Sequence, residues 1–114
     1  FKVQGKSLMD EKKIFDDAQA VCNSGIFALI IECVVERVAK KITKSIPVPT
    51  IGIGASRHCD GQILVTDDLL GLSDLRPKFV KQYSNLSISI EKCIKKYAMD
   101  VKNKKFPSNK NIYK

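Results

Sequence analysis

A single glutamate, Glu32, stands near the end of a continuous apolar run that begins at Ile26. Such a run is typical of a strand buried on both faces of a parallel sheet, so the carboxylate falls where the strand should emerge. Burial raises the pKa of a carboxyl group, and the carboxyl ends of strands are where α/β enzymes carry their catalytic groups. Glu32 is therefore a candidate general base. Position alone leaves a second interpretation open, a glutamate in the first turn of a following helix.

A second candidate is the glycine-rich segment 52–56, which ends another apolar stretch with small residues. Small residues let the backbone turn tightly or approach a ligand closely. The segment lacks the third glycine of a dinucleotide-binding motif, because Arg57 occupies that position. We favour a turn at the end of a strand over a phosphate-binding loop.

Two polar clusters invite a metal interpretation. His58, Cys59 and Asp60 are adjacent, but neighbouring residues on an extended chain point apart, and no second histidine or Cys-x-x-Cys pair supports a zinc site. Asp67 and Asp68 could bind a cation or orient a loop. Since aspartate is a preferred helix cap, we favour capping of a short helix at residues 69–70.

The elements around these residues follow from the spacing of the apolar side chains. Helical spacing predicts helices over residues 7–24, over about 34–44, and from about Leu86 to Lys102, while apolar runs predict strands at 26–33, 50–53 and 62–66. This order predicts an α/β fold with parallel strands. Three strands cannot close on themselves and would leave two hydrophobic edges, so we expect them to be part of a larger sheet or barrel. The tail, residues 103–114, is expected to be extended or partly disordered.

Composition fits one globular domain, with 114 residues of which 44% are hydrophobic. The longest apolar run is far shorter than the roughly 20 residues of a membrane-spanning helix, and no leader pattern is present, so we expect a soluble, cytoplasmic protein. The first residue is phenylalanine, which suggests a longer parent chain. Four scattered cysteines indicate a reducing compartment.

The net charge of +8 raises the possibility of a nucleic-acid or membrane partner. Only three of the twenty basic residues are arginines, and we favour a solvated lysine-rich surface. A small basic module that binds nucleic acid through the C-terminal helix and tail is an alternative, although no cluster of base-stacking aromatic residues supports it.

Several strings, in their order and spacing, together resemble one family, the ketopantoate hydroxymethyltransferases. The resemblance covers essentially the whole chain and is carried by KVQGK (2–6), ALIIECV (28–34), IPVPTIGIGAS (46–56), CDGQILV (59–65), DLLGL (68–72), RPKFVKQY (76–83) and FPSNKNIY (106–113). The chain departs from the family's pattern at Val35, where proline is frequent, and at Asp67, where histidine is frequent. It also departs at Arg57 and His58, which follow GAS where the family commonly has a glycine-rich stretch.

The resemblance implies that residues 1–114 form the C-terminal part of a (β/α)8 TIM barrel, namely strands six to eight and the closing helices. It implies transfer of a hydroxymethyl group from 5,10-methylenetetrahydrofolate to 3-methyl-2-oxobutanoate, giving 2-dehydropantoate for pantothenate and coenzyme A biosynthesis. Glu32 matches the family's proton acceptor. The same chemistry is physically sensible, because a carboxylate beside the carbon next to a ketone can act as general base and a metal can stabilise the enolate.

The resemblance further implies Mg²⁺, whose ligands come from earlier strands, so no metal ligand is assigned to this chain. We expect the 114 residues alone to be inactive, and the family implies a homo-oligomer, a decamer, that binds small molecules, with no nucleic acid and no membrane. Another Mg²⁺-dependent, enolate-forming barrel enzyme of the isocitrate lyase and phosphoenolpyruvate mutase group is the remaining alternative.

Overall fold

The computed structural model describes residues 2–113, which divide into two compact units. The first unit contains residues 2–65 and Leu75–Val80, and it holds two helices and a sheet. The second contains Thr66–Asp74 and residues 81–113, and it holds two further helices.

Helix α1, Leu8–Asn23, begins and ends where the sequence predicts. The Oγ of Ser7 accepts a hydrogen bond from the backbone N–H of Asp10 at 3.1 Å, which satisfies one of the free donors of the first turn. After Ser24, Gly25 adopts a φ of +92°, and this left-handed conformation ends the helix.

Helix α2, Glu36–Ser45, presents an apolar stripe to the core through Val38, Ala39 and Ile42. Ile42 is essentially inaccessible to solvent, and burying a side chain of that size stabilises the fold by about 1.5–3 kcal/mol. Arg37 lies on the exposed side and joins α2 to the start of α1, donating to Glu11 Oε2 at 3.2 Å and to the carbonyl of Gly5 at 3.1 Å.

Three parallel strands in the order β1-β2-β3 form the sheet: β1, Leu29–Glu32; β2, Thr50–Ile53; and β3, Gly61–Gln62. The predicted α/β class and parallel pairing are confirmed. The third strand is shorter than predicted. It pairs with β2 over two residues, and after Ile63 donates to the carbonyl of Gly52 at 3.0 Å the chain leaves the sheet.

The core lies between one face of β1 and the two helices. Its buried members are Ala18, Ile31, Val34, Val38, Ala39, Ile42, Ile46 and Cys59. Side chains alternate between faces along a strand, so Ile31 is buried while its neighbours Ile30 and Glu32 are exposed. The prediction that this strand is buried on both faces is wrong for the described residues, since Ile30 remains 58% exposed.

Thr50 fixes the start of β2 by a partly buried polar network. Its side chain is fully buried, its N–H and hydroxyl donate to Asp60 Oδ2 at 2.8 and 3.1 Å, and its Oγ1 lies 2.9 Å from Thr43 Oγ1. These bonds tie the entrance of β2 to the residue that precedes β3 and to α2.

In the second unit, α3 spans Thr66–Leu70 and α4 spans Leu86–Lys102, the latter as predicted. Neither Asp67 nor Asp68 is the N-cap of α3, because the helix already begins at Thr66. They lie in its first turn instead, where the helix dipole favours negative charge. The turn after α3 continues through Gly71, whose φ of +73° and crowded surroundings exclude a side chain.

The predicted apolar stripe of α4 is exposed, at Ile90, Ile94, Tyr97 and Val101, and no residue of α4 is buried. The tail from residue 103 to 113 was expected to be extended or partly disordered, but it folds through turns. Phe106 packs edge-on against Tyr97 with ring centroids 5.5 Å apart, and this contact holds the chain near the helix end. Among residues 2–113, no helix combines the length and apolarity needed to cross a bilayer.

Candidate active site

Glu32 is the last residue of β1 and lies opposite Ile53 in the parallel register. It therefore occupies the carboxyl end of a strand, as predicted. Helix α2 begins only at Glu36, so the interpretation of Glu32 as a first-turn helix residue is wrong. The side chain is exposed on the same side of β1 as Ile30, and the expectation of a buried carboxylate is not met among the described residues.

The chain turns sharply directly after Glu32. Cys33 has a φ of +50°, a left-handed conformation that non-glycine residues rarely adopt, and it is 6% exposed. Two backbone hydrogen bonds hold it there: its N–H donates to the carbonyl of Ile53 at 2.9 Å, and its carbonyl accepts from the N–H of Gln4 at 2.8 Å. Unusual backbone conformations of this kind persist only where surrounding contacts impose them, and they recur at functional sites.

A cavity of about 950 Å³ lies beside this turn, at the carboxyl ends of β1 and β2. All of its lining belongs to the first unit, and it consists of Val3, Cys33, Gly54, Ala55, Ser56, Arg57, Gln62, Leu75, Arg76, Pro77, Lys78 and Phe79. Glu32 is not part of this lining but is covalently adjacent to Cys33, which is. The cavity and the carboxylate thus share one strand end.

The glycine-rich segment forms the floor of the cavity. Gly54 has a φ of +62°, and the Phe79 ring lies so close that a Cβ on Gly54 would come within 2.7 Å of it. The predicted turn at the end of the strand is confirmed, and the group that closely approaches Gly54 is the Phe79 ring of this chain. Ser56, 2% exposed, anchors the segment by donating to Glu36 Oε1 at 3.3 Å, and its carbonyl accepts from Gln62 Nε2 at 2.7 Å.

The three adjacent residues His58, Cys59 and Asp60 point to different partners. His58 Nε2 lies 3.6 Å from Glu36 Oε1, Cys59 packs in the core, and Asp60 binds Thr50. Hydrogen bonds from the backbone and then the side chain of Thr50 lower the pKa of Asp60 below its ordinary value. Within residues 2–113 there is no group of three or more histidine, cysteine, aspartate or glutamate side chains that could hold a metal ion.

Sequence reasoning missed the cationic residues of the cavity. Arg57 was noted only because it breaks a glycine motif, and Arg76, Lys78 and Phe79 only as letters of a family string. The signal available was the sequence Arg-Pro-Lys-Phe at 76–79, two cations and a ring around a rigid proline in a loop. No local sequence pattern predicts that this loop lies beside Arg57, some twenty positions earlier in the chain.

Comparison with known sequences decides the family. The sequence model described as "Ketopantoate hydroxymethyltransferase" matches residues 1–109. The chain belongs to this family. Ketopantoate hydroxymethyltransferases among its relatives include proteins named 3-methyl-2-oxobutanoate hydroxymethyltransferase from Pelagibacter ubique, 48% identical over 113 residues, and from Moorella thermoacetica, 50% identical over 115 aligned positions. A third, from Bartonella bacilliformis, is 49% identical.

These alignments cover 99–100% of the chain but only 44%, 43% and 42% of the three relatives. The chain therefore spans about two fifths of the length of the ketopantoate hydroxymethyltransferases that it matches. The resemblance inferred from the strings in the sequence is confirmed, and all three names denote the same transferase.

Proposed function

We propose that residues 1–114 supply the sixth, seventh and eighth strands and the closing helices of a single (β/α)8 barrel. Support comes from the sheet, whose parallel strands follow one another in chain order. Among residues 2–113 no further strand pairs with the outer edge of β1 or of β3, and a single parallel bridge, Gln4 to Val34, lies just beyond the end of β1. A closed barrel removes such edges by pairing the first strand with the last. The greater length of the relatives is enough to supply the other strands.

In that barrel, the protein transfers a hydroxymethyl group from 5,10-methylenetetrahydrofolate to 3-methyl-2-oxobutanoate, giving 2-dehydropantoate for pantothenate and coenzyme A biosynthesis. We assign it to the cytoplasm and to a homo-oligomer. The observation that carries the proposal is the position of Glu32, at the carboxyl end of β1 on the side of the strand that the described residues leave uncovered. In a closed barrel that side faces the barrel axis, and the carboxyl ends of the strands form the face at which barrel enzymes bind their substrates.

Glu32 acts as general base. Its carboxylate takes the proton from the carbon adjacent to the keto group, and the electrons of the C–H bond pass into an enolate. The enolate carbon then bonds to the methylene carbon of the donor. As that bond forms, one of the two carbon–nitrogen bonds that join the methylene carbon to the donor breaks, and water then displaces the second nitrogen and supplies the hydroxyl oxygen of the product. Each electron pair stays on its folate nitrogen, and the two nitrogens take up the proton held by Glu32 and one proton from the water.

The family resemblance also implies Mg²⁺. The described residues do not offer a ligand set for it, so we expect its ligands outside this chain and assign no step to it here. For the same reason we propose that the 114 residues alone do not catalyse the reaction.

A chimaera tests the proposal: the part of the Pelagibacter ubique relative that precedes the aligned region, joined to residues 1–114. We expect it to form 2-dehydropantoate, and the isolated chain to form none.

Glu32→Gln in the chimaera should lower kcat by about 10²-fold or more while KM changes little, as expected for a lost general base. Glu91→Gln, an exposed glutamate on α4, is the matched control and should keep normal turnover. Normal turnover by Glu32→Gln would refute the role of Glu32, and product from the isolated chain would refute the need for the rest of the barrel.

A further inference from the structure

The strand end that carries Glu32 is held by a segment from the start of the chain. The N–H of Gln4 donates to the carbonyl of Cys33 at 2.8 Å, and the carbonyl of Gln4 accepts from the N–H of Val35 at 3.0 Å. Gln4 thus bonds at two points to the turn 33–35, in which Cys33 has a φ of +50°. Because a turn of this kind persists only where its surroundings impose it, the place of Glu32 depends on what holds Gln4.

Arg37, in the first turn of α2, holds the two residues that follow Gln4. Its Nη2 donates to the carbonyl of Gly5 at 3.1 Å and to the carbonyl of Lys6 at 3.2 Å. Its Nε donates to Glu11 Oε2 at 3.2 Å, and the Glu11 side chain is only 17% exposed. Since a guanidinium group presents its donors in a fixed plane, these three acceptors together define its orientation.

Packing transmits the position of Gly5 to the same turn. Gly5 is buried and has a φ of +80°, and a Cβ there would lie 3.2 Å from Val35 Cγ2 and 3.3 Å from Val38 Cγ2. The backbone of residue 5 therefore lies directly on the side chains that begin α2. A displacement of Gly5 reaches the turn after Glu32 both through the hydrogen bonds of Gln4 and through contact with Val35.

We propose that Arg37 is a positioning residue for the general base Glu32, and that Glu11 keeps Arg37 in place. This role rests on the proposed function, in which Glu32 takes the proton. Arg37 does not belong to the lining of the cavity at the strand ends, so it acts through the backbone of residues 4–6 and the turn that follows Glu32. Misplacing a reacting group by about 1 Å can lower a rate by about 10²-fold, so a loosened turn is enough to slow turnover.

Hydrogen exchange of backbone amides, followed by NMR in the 114-residue chain, tests whether Arg37 holds the turn. In Arg37→Ala the amides of Gln4 and Val35 should exchange about tenfold faster, the effect of losing a charge-assisted hydrogen bond to the segment that braces them. The amide of Ile63, which donates to Gly52 in the sheet, is the internal reference and should keep its rate.

Lys41→Ala is the matched control. Lys41 lies one turn further along α2, its Nζ is 3.6 Å from Glu11 Oε1, and its side chain is 55% exposed against 54% for Arg37. Among the described residues it donates no hydrogen bond to residue 5 or 6. Its removal should leave the exchange of the Gln4 and Val35 amides within about twofold of the parent rate.

In the chimaera, Arg37→Ala should lower kcat about tenfold and leave the KM for 3-methyl-2-oxobutanoate within about twofold, because a misplaced base slows the chemical step. Arg37→Lys, which keeps the charge and loses the planar group, should have an intermediate kcat. In a Glu32→Gln background, Arg37→Ala should cause no further loss of turnover, because Arg37 acts only through that carboxylate.

Four results overturn the positioning role: unchanged exchange of the Gln4 and Val35 amides in Arg37→Ala, equally faster exchange at Ile63, an equal effect of Lys41→Ala, or a further loss of turnover when Arg37→Ala is added to Glu32→Gln. An active chimaera whose kcat is unaltered by Arg37→Ala also refutes the role and leaves the proposed function standing. A chimaera that forms no 2-dehydropantoate refutes the proposed function, and the exchange rates then still decide whether Arg37 holds the turn.

Discussion

The ring of Phe79 lies directly on the backbone of Gly54, with two ring carbons only 2.7 Å from the place that a Cβ on residue 54 would occupy. Gly54 follows β2 and has a φ of +62°, so both its conformation and its surroundings require glycine. The contact fixes the loop 75–80 on the end of the sheet and shapes the cavity that the two segments line.

Gly54→Ala should therefore destabilise the chain by about 1–3 kcal/mol, from left-handed strain and displacement of the ring. Urea unfolding measures the loss. Gly61→Ala is the matched control, since a Cβ there meets only Ile51 Cγ1 at an ordinary 3.7 Å. Phe79→Leu in the Gly54→Ala background should recover part of the lost stability. Equal effects of the two glycine substitutions would show that the close contact does not form in solution.

The alternate burial of β1 gives a test of barrel closure. In the isolated chain Ile42→Ala should cost about 2–5 kcal/mol, because it removes a fully buried side chain, whereas Ile30→Ala, on the exposed side, should cost much less. If the barrel closes over this side of β1 in the chimaera, as we propose, the substitution of Ile30 should cost nearly as much as that of Ile42. Chemical denaturation of both proteins supplies the four values. A persistently small effect of Ile30→Ala in an active chimaera would argue against closure over this side of β1.

Cys33 should tolerate only residues that accept a left-handed backbone. Cys33→Val places a β-branched side chain at a φ of +50° and should destabilise the chain by about 1–3 kcal/mol beyond any change in packing. Cys22→Val makes the same atomic change within helix α1, and we expect a smaller loss there. Thermal unfolding of both variants provides the comparison. If Cys33→Val proves as stable as Cys22→Val, the sharp turn after Glu32 is not imposed by the fold.

Asp60 should make the stability of the chain depend on acid. Hydrogen bonds from Thr50 lower its pKa in the folded state below the ordinary value of 3.8, so the folded protein binds this proton less readily than the unfolded chain does. The stabilisation is therefore present above the unfolded pKa, and it is lost as the pH falls through the folded pKa. Unfolding free energies measured from pH 6 downward should show a smaller acid-dependent loss in Asp60→Asn than in the parent chain. Asp16→Asn, exposed on α1, should follow the parent. If the unfolding free energies of Asp60→Asn and of the parent fall equally with pH, proton binding by Asp60 is not coupled to folding.

The sequence by itself determined helices α1 and α4, strand β2 and the family. Helix α4 begins and ends as its apolar spacing predicts, and α1 stops at Ser24 and Gly25, because capping and left-handed glycines act over a few residues. The family strings likewise depend on residue identity and order alone. Glu32 could be placed at a strand end for the same reason, since a short apolar run bounded by a charge is a local signal.

Only the tertiary structure decided which sides of these elements are covered and which distant residues meet. The exposure of Ile30 and Glu32 depends on what packs against β1, and no pattern within residues 26–33 records that. The meeting of Arg57 with the loop Arg76–Phe79 depends on the turn at Gly54 and on the path of the chain across some twenty intervening residues. Local backbone preference acts over a few positions, whereas burial and the convergence of charges are set by packing between segments far apart in the chain.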